Sequence, residues 1–224
     1  SGDGARTVVF LGDLFMRPWG ANPRWVTAFD DFPLDSVMRK AELFAQAVEE
    51  AFPLLPKEDE GRLTNPRIRA HFFTRIFALA RLRRVEDLPG LMAFHARYKL
   101  LLLAYNQKEA RALGRLLAGA RGRPFPEVHG AYEEGFLRAT ERPWRLGAMA
   151  DALLHAFGFF KKALAPREKA HFLDLLADFR EERLPLEAPL ALLASWARRF
   201  AEPYVEAQAL LEPYPRALMH VPGA

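Results

Sequence analysis

The stretch that decides the fold is Leu91–Ala118, LMAFHARYKLLLLAYNQKEARALGRLLA, which follows the breaker Pro89-Gly90. Set on a helix at about 100° per residue, Leu102, Leu103, Leu113 and Leu117 form one apolar stripe. On the other side Arg97, Lys108, Arg111 and Arg115 fall within about 60° of one another. If the helix is continuous, Arg97 and Arg115 stand five turns apart, roughly 27 Å, and the four cations form one ridge long enough to follow several phosphates of a nucleic-acid strand. His95, Lys99 and Asn106 fall in the leucine stripe, where a polar group needs a partner or a cavity. His95 and Lys99 are an i, i+4 pair and so are neighbours. Two readings follow for this trio: a hydrogen-bonded network inside the core, or a small-molecule or enzymatic site.

Outward from this helix the pattern stays helical. Ser36–Phe52 has a capping residue, apolar positions at Val37, Leu43, Phe44, Val48 and Phe52, and a stop at Pro53. A loop with the acidic run Glu58-Asp59-Glu60 leads to Thr64 or Asn65 as a cap, with Pro66 in the first turn of the next helix. Beyond the connector Gly119–Pro126, which carries Arg121 and Arg123, helices are predicted at Glu127–Thr140, Leu146–Leu164, Pro166 to about Arg183, Pro185–Phe200 and Pro203–Pro213. Thr7–Leu11 is the one convincing strand, and the residues after it read as irregular. The expected fold is all-α, with a small, partly irregular N-terminal appendage over residues 1–84 and a multi-helix domain over residues 85–224.

Composition narrows the chemistry. The 224 residues include no cysteine, and half are apolar. A thiolate nucleophile, a disulfide framework and cysteine-held zinc or iron–sulfur centres are therefore excluded from this chain, which can nonetheless bury a substantial core. No apolar run approaches the roughly 20 residues of a membrane span, and no leader is read at the start, so a cytoplasmic setting without membrane attachment is expected. The net charge of +4 hides an uneven distribution. Residues 61–123 hold 14 Lys+Arg against 3 Asp+Glu, a net of +11, between flanks that are net negative. With few local anions for pairing, this block points to an external polyanion, against the alternative of internal ion pairs.

Other motifs contribute less. None of the six histidines pairs with another at i, i+4 spacing, and no phosphate-binding loop, nucleophile elbow or dinucleotide fingerprint occurs, so no metal, cofactor or catalytic site is expected. Glu133-Glu134 and Glu181-Glu182 are sequence neighbours about 100° apart on their helices and read as solvated. His155 and Lys161 lie about 120° apart on a continuous helix and are not expected to share a site. The adjoining Phe157, Phe159 and Phe160 read as packing, with stacking on unpaired bases as the alternative; Trp19, Trp25, Trp144 and Trp196 carry the same two readings.

Phe94–Lys108 (FHARYKLLLLAYNQK), followed by Leu113-Gly114-Arg115-Leu116, closely resembles the signature of the YbgA-like family, a helical domain of unknown function. Further landmarks are Leu153, His155, Gly158–Lys162, Arg183–Leu186, Pro189-Leu190, Leu192-Leu193, Tyr204, Gln208 and Pro213-Tyr214-Pro215. The resemblance marks His95, Lys99, Asn106, Gln107, His155 and Lys161 as the family's polar positions. Tyr105 stands where the family often has His, Asp151 where it has Asn, Leu154 where it has Gln and Leu210 where it has Tyr. Phe52–Pro56, Glu58–Leu63, Arg69, Phe72, Arg75 and Phe77 resemble the end of a thiouracil-desulfurase-like domain, with His71 at a usual Asn. That domain is often fused ahead of a YbgA-like one, as in tRNA 4-thiouridine desulfidases, and its cysteine-held cluster cannot be built from this chain.

What the resemblance implies is a role in gripping tRNA, in agreement with the +11 block. The expected function is a non-catalytic RNA-binding module, with Arg81, Arg83, Arg84, Arg97, Lys108, Arg111, Arg115, Arg121 and Arg123 on phosphates. The alternatives are a subunit that docks onto a separate desulfurase-like iron–sulfur protein, and a small-molecule site around His95, Lys99 and Asn106.

Overall fold

The computed structural model describes residues 46–59 and 61–219, and no strand occurs among them. The fold is all-α. Eight α-helices follow in order: α1 (Pro66–Leu82), α2 (Leu88–Tyr105), α3 (Gln107–Ala118), α4 (Phe125–Ala139), α5 (Leu146–Gly158), α6 (Pro166–Arg180), α7 (Glu187–Arg199) and α8 (Pro203–Glu206). Residues 46–51 are also helical and stop before Pro53, where the sequence places the end. The remainder of that helix, the strand over 7–11, Trp19, Trp25, Glu60 and His220 lie outside the described residues.

Two compact units divide between Phe72 and Phe73, inside α1, whereas the sequence reading sets its boundary at residues 84 and 85. In the first unit Asn65 caps α1, its Oδ1 accepting from the backbone N–H of Arg67 at 2.9 Å and of Ile68 at 3.2 Å.

In the second unit α2 is the hub, packed against α3, α4 and α5; α5 in turn carries α6 and α7, and α8 rests on α7. Sequence explains the arrangement. From Tyr98 to Ala104 α2 is buried on almost every side, as befits a helix whose apolar residues do not keep to one stripe. Its neighbour α5 buries Ala150, Ala152 and Ala156 among larger residues. Two aromatic groups fill the core. Phe94 stacks on Tyr98 at 4.2 Å and meets Phe136 of α4 edge-on at 5.6 Å. Phe157 stacks on Phe172 of α6 at 4.6 Å, with Trp196 of α7 at 5.6 Å from Phe172.

Helix ends account for most departures from the expected spans. α5 stops at Gly158 rather than at Leu164, and Phe159–Lys162 continues as turns. α6 closes with Glu182 at φ 55° and Arg183 N–H donating to Asp178 O at 2.8 Å. α7 closes in the same way, with Ala201 at φ 49° and Glu202 N–H on Ala197 O at 2.9 Å. Both are left-handed closures without glycine. α8 is four residues long and does not reach Pro213. The chain beyond it is fastened to α2 instead: Ala209 N–H donates to Arg97 O at 2.9 Å. Gln208, only 3% exposed, donates to Ala96 O at 2.9 Å and accepts from Leu100 N–H at 3.2 Å. Ala96 O and Leu100 N–H are the pair that a regular helix bonds to each other, so the Gln208 amide is inserted into the α2 ladder.

Candidate nucleic-acid interface

Leu91–Ala118 is two helices. Asn106 leaves the helical region, with φ −156° and ψ 101°, and its Oδ1 accepts from Glu109 N–H at 3.2 Å to cap α3. An Asn that hydrogen-bonds the backbone three residues ahead offers the chain an alternative to helix continuation. The two pieces fold against each other: a Cβ on Gly114 would meet His95 Nε2 at 3.7 Å. In one straight helix these positions would be separated by about 28 Å along the axis. The expected five-turn ridge from Arg97 to Arg115 is therefore corrected. Arg97 is on α2, and Lys108, Arg111 and Arg115 are on α3.

The α3 part of the ridge holds as a feature of one helix. Ala110, Leu113 and Leu117 are buried, and Lys108, Arg111 and Arg115 are exposed at i, i+3 and i+7. The inner face is held closely to α4: a Cβ on Gly135 would sit 2.8 Å from Leu113 Cδ2, so glycine permits this approach. Glu109, the one acid on α3, faces Arg138 of α4 at 3.9 Å, and Arg138 also pairs with Glu134 at 2.5 Å. After α3 come the exposed Arg121 and Arg123, flanking Gly122 at φ 79°. Among the described residues no ion pair holds Arg84, Arg97, Lys108, Arg111, Arg115, Arg121 or Arg123, all of them exposed.

Two of the nine expected phosphate ligands are engaged by the protein itself. Arg81 Nη1 donates to the Tyr98 hydroxyl and to Pro213 O, both at 2.9 Å. Arg83 places Nε and Nη2 on one Glu133 oxygen at 3.0 and 2.6 Å. Glu133 is thus an ion-pair partner rather than a solvated acid. Its position 50 residues from Arg83 explains why counting anions within the basic block did not find it.

The trio His95, Lys99 and Asn106 occupies three different settings. Asn106 is the α3 cap, and Lys99 is exposed on the side of α2 that also shows Met92 and Ala96. His95 is half-buried, with Nδ1 3.0 Å from the Tyr132 hydroxyl. Burial first, and the charge of Lys99 second, hold its imidazole below the usual value of 6.5. Gln107 is exposed at the start of α3.

His155 and Lys161 are brought together, contrary to the helical projection. Because α5 ends at Gly158, Lys161 turns back, and both residues line an open cavity of about 570 Å³ with Asp151, Leu154, Gly158 and Phe159. Phe157 and Phe160 are buried as expected, but Phe159 is 43% exposed. No group of three or more His, Asp or Glu is placed to hold a metal ion among the described residues. Nor is any helix among them long and apolar enough to cross a membrane.

These features define an all-α, helix-packed domain with unpaired cations on one amphipathic helix. Residues 99–215 match the family model described as "Protein of unknown function (DUF1722)", and this chain belongs to that family. It is 26% identical over 149 residues to the uncharacterized protein YbgA of Escherichia coli (strain K12), covering 64% of this chain and 88% of that protein. No solved structure matches it.

Proposed function

We propose that this chain is a non-catalytic RNA-binding module that grips tRNA in the cytoplasm. The observation that carries this reading is the outer face of α3, where Lys108, Arg111 and Arg115 are exposed without an ion-pair partner among the described residues while Glu109 is turned to Arg138. The three cations span about 10 Å of helix, the axial length over which one strand presents about three phosphates. Arg121 and Arg123 extend the positive surface past the helix end, and Arg84 and Arg97 add exposed charge elsewhere on the unit. Arg81 and Arg83 are left out of the grip. The choice of tRNA comes from the sequence resemblance to thiouracil-desulfurase fusions.

The test is a filter-binding titration of labelled tRNA across a salt series. Affinity should fall on a log–log plot with a slope of about 0.7–0.9 per neutralised phosphate. The triple variant Lys108→Glu, Arg111→Glu, Arg115→Glu should abolish retention at low salt, with unfolding stability held within about 0.5 kcal/mol because all three side chains are exposed. Undiminished binding by that variant overturns the reading. Co-purification of an iron–sulfur protein, with no tRNA retained even at low salt, supports docking onto a separate desulfurase-like partner instead.

A further inference from the structure

The cavity at the end of α5 has the parts of a stacking platform. Phe159 lies just past the helix terminus, and its ring is stacked on Tyr204 of α8, centroids 5.0 Å apart and planes 26° from parallel. With one face on Tyr204, the ring is still 43% exposed. An aromatic this exposed is at odds with its neighbours Phe157 and Phe160, which are 2% and 1% exposed. His155 meets the Phe159 ring edge-on at 6.1 Å. Tyr204 is the fixed half of the pair, because the chain around it is held by Gln208, which donates to Tyr204 O at 3.2 Å as well as to α2.

Around this ring the lining adds Leu154 and Gly158 to one lysine, one histidine and one acid. Lys161 stands at the cavity with its Nζ 5.6 Å from the centre of the Phe157 ring, and Lys162 beside it is exposed. Asp151 is at the cavity too, its carboxylate paired with Arg180 of α6 at 2.9 Å. An exposed ring offers a π-face to any base, lysines suit a phosphate, and a carboxylate with an imidazole can bond to a base edge.

We propose that this cavity holds one unpaired nucleotide of an RNA strand, its base stacked on Phe159 and its phosphate met by Lys161 and Lys162. This rests on the RNA-binding reading above and adds to it a preference for unpaired over paired segments, which the α3 cations alone do not confer. A stacked duplex base has no free face, so only an unpaired or extruded one fits.

The experiment uses the full chain and fluorescence anisotropy with three probes: a labelled single-stranded oligoribonucleotide, a labelled duplex of the same length, and an unlabelled nucleoside monophosphate as competitor. Phe159→Ala should weaken the single strand about ten- to hundredfold and leave the duplex unchanged. Phe159→Trp should restore single-strand affinity, and its emission, measured against the wild-type background, should be quenched by the single strand and not by the duplex. Equal effects of Phe159→Ala on both probes, or none on either while both bind, overturn the stacking site and leave the α3 grip standing. A monophosphate that competes as well as the oligonucleotide overturns the strand assignment in favour of a free nucleotide. No binding of either RNA by the wild-type chain fails both proposals together, which separates that outcome from the others.

Discussion

Arg81 on α1 and Arg111 on α3 come from the same basic block, yet the protein uses them in opposite ways. Arg81 is half-buried and bonded to a core tyrosine and a distant carbonyl, whereas Arg111 is exposed and without an ion-pair partner among the described residues. Charge density along a sequence does not separate these roles, because it registers neither the neutral acceptors of Arg81, the Tyr98 hydroxyl 17 residues on and Pro213 O 132 residues on, nor Glu133, the acid that holds Arg83 from 50 residues away. Cations facing such acceptors become part of the packing; those facing none remain available to a ligand. The comparison also predicts that stability and RNA affinity are carried by different members of the block.

Arg81→Ala gives the largest expected effect on stability. It removes two hydrogen bonds from a charged donor, one of them to the hydroxyl of Tyr98, a residue with no exposed surface. Burial pushes that phenol upward against the opposing influence of Arg81, so the hydroxyl is strongly held in its neutral form. A loss of about 1–3 kcal/mol is expected, or about 2–4 °C of Tm per kcal/mol. Affinity of the folded variant for tRNA should be unchanged. Chemical denaturation and filter binding on one preparation check both, and an affinity loss without a stability loss breaks the comparison.

Asn106→Ala gives a smaller effect and tests the boundary that makes α3 a separate helix. The cap is a single side-chain bond to Glu109 N–H, and its removal should cost about 1 kcal/mol. Because the α3 cations do not touch the cap, their salt slope for RNA should survive. Urea unfolding measures the first expectation and the salt series the second; unchanged stability would mean that packing between α2 and α3, rather than the cap, fixes the break.

The helices themselves were legible because proline and leucine spacing are local signals: Pro66, Pro166 and Pro203 each open a helix where expected. The interruption at Asn106 was not, since a leucine stripe continues through it in projection, and the fold-back shows in the extended backbone of Asn106 and the approach of Gly114 to His95. His155 and Lys161 were set apart for the converse reason, a helix assumed to continue where it ends. Gln208 was marked by resemblance alone, since insertion into a ladder 108 residues away leaves no local pattern. In each case the missed information lies in a helix end or a long-range hydrogen bond, and the helical period, being local, is blind to both.

The smallest expected effect concerns His95, which belongs to the interior side of the comparison although it neighbours a cation. Its imidazole is half-buried between α2 and α4, 3.0 Å from the Tyr132 hydroxyl, with Lys99 one turn further along α2. Burial and the Lys99 charge both favour the neutral ring and place its folded value below 6.5. The unfolded chain therefore takes up a proton at a higher pH than the folded one does. This contribution to stability is complete above pH 6.5 and is lost as pH falls through the folded value. Tm measured from pH 7.5 down to 5.5 should fall more steeply for the wild-type chain than for His95→Asn. Lys99→Gln should give an intermediate slope, since it removes the lesser of the two causes. Equal slopes for all three chains would show that His95 titrates alike in both states, and that its place beside Tyr132 contributes nothing to the pH dependence of the fold.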